Sequence, residues 1–135
     1  MQRREVKAFK YELRNYNFYC QELKEKEELI EYLYDRLGGV RGVDPSKEPL
    51  HSAPNKEYEY MLRDKISKVE QKKVLLEHKI DYIDQILGNV ETPLKSALKS
   101  VYINGEKLDK VSQEFFLTPN GLIYRLNKAI EEALK

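Results

Sequence analysis

Asn120, Tyr124, Asn127 and Lys128 recur at a spacing that a helix would gather on one side, with Arg125 on its flank. Asn, Arg and Lys are the side chains that read base edges and hold phosphates, and Tyr adds a further polar contact. Gly121, in the same stretch, would let a backbone approach closely. Acid is held back until Glu131 and Glu132, beyond the part that would enter a groove. The chemistry expected is therefore recognition without catalysis: one helix face against double-stranded DNA, with Lys107 and Lys110 upstream touching phosphates.

Positioning such a face requires a small helical domain, and the punctuation supplies one. Thr92-Pro93 and Thr118-Pro119 each offer a hydroxyl N-cap followed by a residue whose missing N–H is harmless at a helix start. Asn104-Gly105 marks a turn between them. Helices are predicted over 93–103, 107–116 and 119–134, the last two joined by a very short turn, as in a helix-turn-helix domain. On the third helix Leu122, Leu126, Ala129 and Ala133 should face the core, with Val111, Phe115 and Leu117 as the opposing wall. Residues 92–135 carry seven basic and five acidic side chains, so one copy has only a weak positive footprint and a dimer would help.

The rest of the chain reads as scaffold. Apolar residues at Val6, Phe9, Leu13, Tyr16, Cys20, Leu23, Ile30, Tyr34 and Leu37 alternate steps of three and four, with Glu27 at the single missing site. A second run, Leu62, Ile66, Val69, Leu76, Ile80, Ile83, Leu87 and Val90, repeats the design with Lys73 at its gap. The glycines and prolines of 38–55 predict a loop reaching to about 57, so the arms should fold back on each other. The antiparallel register whose partners sum to 99 or 100 sets Glu27 beside Lys73, giving each seam charge an opposite. The expected fold is all-α: an antiparallel coiled-coil hairpin over 1–90, then a three-helix helix-turn-helix domain over 91–135.

Composition narrows the alternatives. A net charge of +1 gives no overall drive toward nucleic acid, so affinity must come from local clustering. No apolar run approaches membrane-spanning length and no secretory h-region follows the basic start, so neither membrane nor secretion is expected. One cysteine, Cys20, excludes an internal disulfide and fits a reducing cytoplasm. The two histidines, His51 and His78, have no nucleophile or ligand partners at motif spacing, so no enzyme activity, metal or cofactor is expected. Of the ten tyrosines, Tyr16, Tyr34 and Tyr58 fall on or beside the seams and read as hairpin packing rather than stacking platforms.

Two stretches, "LYDRLGGVRGVD" at the hairpin tip and "YINGEKLDKVSQEFFLTPNGLIYRLNKAIEEAL" after it, carry a further likeness. The chain resembles small phage-encoded regulators of the RinA/ArpU late-gene activator type, whose terminal domain looks like region 4 of bacterial sigma factors. The resemblance implies a DNA-binding transcription regulator from a phage or prophage, acting in the bacterial host cytoplasm. Residues 119–128 would begin the recognition helix, and RNA polymerase is a possible partner of the hairpin. Two positions depart from the usual pattern: Phe116 stands where the turn often has glycine, and Ser112 where the small inter-helix residue is often alanine. A bulky Phe116 would lengthen the second helix and alter the turn. A packaging protein like a phage terminase small subunit would use the same parts, and so would a coiled-coil adaptor that binds only protein.

Overall fold

The computed structural model describes residues 3–41 and 52–135. All regular structure among them is helical: α1 (Arg4–Arg14), α2 (Tyr16–Arg41), α3 (Ser52–Gly88), α4 (Thr92–Leu98), a π-helical turn (Lys99–Ile103), α5 (Leu108–Glu114) and α6 (Pro119–Ala133). Helix claims both margins of the expected loop. Gly38 and Gly39 lie near the end of α2, and Pro54 sits in the first turn of α3, where a missing N–H is harmless. The remainder of that loop, 42–51, lies outside the described residues.

The chain forms two compact units, one of Gln21–Glu77 and one of Met1–Cys20 together with His78–Lys135. A single boundary at residue 90 is thus corrected. Val6, Phe9 and Leu13 are buried as expected, but α1 packs against α6 and the π turn, so it is part of the carboxyl-terminal unit. Heptad spacing states that a face is apolar; it does not state what covers it.

In the Gln21–Glu77 unit, α2 and α3 pack as an antiparallel hairpin around Leu33, Leu37, Leu62, Ile66 and Val69. The Tyr34 hydroxyl donates to Glu70 at 2.9 Å, and Arg36 donates through Nε to the Tyr58 hydroxyl at 2.8 Å and through Nη1 to that of Tyr32 at 2.9 Å. The seam of α3 is as its sequence predicts. On α2 Leu37 is buried and Leu23 and Ile30 are half-buried as expected, but the alternate seam positions move back by one residue, with Tyr19 and Leu33 buried where Cys20 and Tyr34 were expected.

The shift follows Asn15, a single non-helical residue at φ −96° and ψ 3° whose amide donates to the Tyr11 carbonyl at 2.8 Å. It also corrects the seam pair. Glu27 is exposed, whereas Lys26 takes the half-buried position and pairs with Glu22 at 3.4 Å. Lys73 lies 3.7 Å from Glu77 on its own helix, and no Glu27–Lys73 ion pair occurs among the described residues.

In the carboxyl-terminal unit the three predicted helices are present. α4 continues into the π turn, which is capped by Asn104 and followed by Gly105 at φ +68°, a left-handed conformation that glycine adopts without strain. Glu91, not Thr92, is the N-cap of α4, and it makes no side-chain cap; Thr92 and Pro93 are the first helical residues. On α6 the buried stripe is Leu122, Leu126, Ile130 and Ala133. Ile130 thus takes the innermost place expected of Ala129, which is half-buried. The larger side chain gains more from burial, by about 1 kcal/mol or more.

Candidate nucleic-acid interface

The α5–α6 turn decides whether a helix-turn-helix arrangement survives Phe116. α5 ends at Glu114 instead of extending, and Phe116 adopts φ +56°. Leu117 N–H donates to Ser112 O at 2.9 Å and Phe116 N–H to Gln113 O at 3.1 Å, the two bonds of a Schellman turn with Phe116 at the position usually held by glycine. The expected distortion is therefore corrected: the glycine-type turn is kept, and Phe116 bears its strain with a side chain 96% exposed. Ser112 is buried, and its hydroxyl donates to the Asp109 carbonyl at 2.8 Å, so it serves as the small residue between the helices.

Thr118 caps α6 as its sequence position suggests. Its hydroxyl accepts from Gly121 N–H at 3.0 Å, and a Cβ at Gly121 would meet that same oxygen at 3.0 Å. Gly121 is half-buried and its N–H is engaged, so its role here is to admit the cap rather than to offer a free donor.

Asn120, Tyr124, Arg125 and Lys128 are exposed on α6, as are Lys107 and Lys110 at the start of α5. Lys128 Nζ lies 5.8 Å from the Tyr124 ring centroid, a cation–π contact that pre-orients both groups. Asn127 departs from this open face. It is half-buried, and its Oδ1 is enclosed without a hydrogen-bond partner. The geometry brings four of the α6 candidates to solvent, with Asn127 at the margin.

A group on α1 escaped the sequence reading. Lys10 is only 4% exposed and its Nζ lies 5.4 Å from the Tyr102 ring centroid, while the Arg14 guanidinium lies 5.4 Å from the same centroid. Burial, and then repulsion from Arg14, holds the Lys10 ammonium below its ordinary pKa; burial raises that of the Tyr102 phenol. The visible signal was the spacing of Arg3, Lys7, Lys10 and Arg14, steps of four, three and four beside the apolar stripe.

Among the described residues no group of three or more His, Cys, Asp or Glu could hold a metal ion, and no helix is long and apolar enough to cross a membrane. Comparison of the chain with protein-family models, with curated proteins and with solved structures returns no match.

Proposed function

We propose that this chain is a double-stranded-DNA-binding transcriptional regulator, of phage or prophage origin as its resemblance implies, working in the bacterial host cytoplasm. The observation carrying the reading is the glycine-type turn at Phe116 followed by the Thr118-capped α6 with Asn120, Tyr124, Arg125 and Lys128 exposed. Amide, hydroxyl and cationic groups on one capped helix suit base edges and phosphates. The reading assigns no catalytic step.

A dimer suits it, because one carboxyl-terminal segment has little charge. Within the Gln21–Glu77 unit, α3 exposes Tyr60 and Met61 near one end and Val74 and Leu75 near the other. An antiparallel second copy with paired positions summing to 135 would set Tyr60 against Leu75 and Met61 against Val74 twice over, the self-complementarity a two-fold interface requires. The hairpin would then fix the oligomer, with RNA polymerase as a further partner in the regulator reading.

Fluorescence anisotropy of duplex DNA at two salt concentrations tests the proposal, comparing the protein with an Asn120→Ala, Tyr124→Ala, Lys128→Ala variant of equal helicity. Salt-sensitive binding lost in the variant supports it. Failure of the folded protein to bind even at low salt rejects it in favour of a protein-binding adaptor, a reading to which exposed Phe116 lends weight.

A further inference from the structure

The basic excess of α1 is larger than that of the helix-turn-helix segment itself. Arg3, Arg4, Lys7, Lys10 and Arg14 face only Glu5 and Glu12 over residues 3–14, a surplus of three. At ~100° per residue, Arg3, Lys7, Lys10 and Arg14 fall within about 60° of one another. They form a stripe along a helix that is itself part of the carboxyl-terminal unit.

Only one end of this stripe is neutralised. Arg3 Nε pairs with Glu131 at 2.9 Å, but Lys7, Lys10 and Arg14 have no ion pair among the described residues. Like charges four apart on a helix repel. The Tyr102 ring attracts both Lys10 and Arg14 without cancelling either charge. The fold thus holds together cations that lack an internal counter-charge.

The ring that holds them belongs to the π turn, an irregularity often found at functional sites. Asn17 Nδ2 donates to the Ile103 carbonyl at 3.2 Å, joining the start of α2 to the segment that leads through Gly105 into Lys107 and α5. The free end of the basic stripe therefore adjoins the segment leading to the phosphate contacts expected at Lys107 and Lys110.

We propose that Lys7, Lys10 and Arg14 of α1 form a second DNA-backbone contact, extending the phosphate track from Lys107 and Lys110. This rests on the DNA-binding reading and adds a site to it. The stripe offers ammonium and guanidinium groups but no Asn or Gln, so it grips phosphates and reads no sequence. Lys7 and Arg14 are exposed and make the direct contacts, while Lys10 strengthens the local field from beneath.

The test is the slope of log affinity against log salt for a duplex that the full chain binds. A Lys7→Gln, Arg14→Gln variant should lower that slope by about 1.8, one phosphate per removed cation, and weaken specific and scrambled duplexes alike. A control variant, Lys24→Gln with Lys65→Gln in the hairpin unit, should leave the slope unchanged. Equal slopes for the protein and the α1 variant would overturn the proposal while leaving α6 as the DNA-binding element. So would an equal loss in the control, which would trace the effect to net charge. No DNA binding by the protein itself would remove both the proposal and the reading beneath it.

Discussion

Thr118 and Gly121 are coupled through one oxygen: the Thr118 hydroxyl accepts the Gly121 N–H at 3.0 Å, and it is also the atom that a Gly121 Cβ would crowd at 3.0 Å. The cap and the glycine depend on each other. Thr118→Ala should destabilise the protein by about 1 kcal/mol. Gly121→Ala should yield little of the ~1 kcal/mol usually gained by replacing a helical glycine, because the hydroxyl must give way. In the Thr118→Ala background that gain should appear. Additive values in a thermal-denaturation cycle would refute the coupling.

Phe116 is strained without compensation from burial. Its φ of +56° lies where non-glycine residues are disfavoured by ~1–2 kcal/mol, and its ring is almost wholly exposed. Phe116→Gly should raise stability by about 1 kcal/mol in denaturant unfolding, after the entropy of a freer unfolded chain is offset. A destabilised glycine variant would mean that the ring packs usefully in solution.

Two tyrosines should make the fold sensitive to alkali. Burial, reinforced by the hydrogen bond that Tyr16 donates to Asp84 at 2.9 Å, pushes the Tyr16 phenol up to about 12; burial and then Glu12 do the same for Tyr19. Because the unfolded value is ~10, this stabilisation is complete below pH ~10 and is lost as pH rises toward 12. Spectrophotometric titration should find both groups ionising late. Asp84→Asn should bring Tyr16 down and leave Tyr19 where it is.

The hairpin register makes a negative prediction. Glu27 is exposed and Lys73 has Glu77 as its neighbour, so a Glu27→Leu, Lys73→Leu cycle should show coupling below ~0.3 kcal/mol. Coupling of 1 kcal/mol or more would restore the pairing read from heptad spacing.

Dimerisation has an address on α3. Leu75 is 63% exposed, so Leu75→Lys should leave helicity intact while shifting sedimentation from dimer to monomer. A monomeric parent protein, or a variant that stays dimeric, would exclude this face as the interface.

Local signals made most of these elements legible. The α3 seam, the third-helix bounds and the Thr118 cap follow from residue type and spacing alone. What was hidden depended on contacts between distant segments. The heptads gave no warning that α1 and α2 would separate at Asn15, whose side chain bonds the backbone of the preceding turn, or that Tyr19 and Leu33 would be buried in place of Cys20 and Tyr34. Nor could spacing assign α1 to α6 and the π turn. At the candidate interface, the polar identity of α6 was readable, whereas the enclosure of Asn127 and the engagement of Gly121 depend on neighbouring atoms.

Because α1 packs on α6, the carboxyl-terminal unit is assembled from segments lying far apart along the polypeptide. Loop closure must be met before Val6, Phe9 and Leu13 gain their cover, which makes docking of α1 a late, slow event relative to formation of the local hairpin. On a ribosome, which makes α1 first and α6 last, the apolar stripe of α1 has to wait through synthesis of both hairpin arms. The hairpin, by bringing its two ends back together, shortens the search that finally joins them.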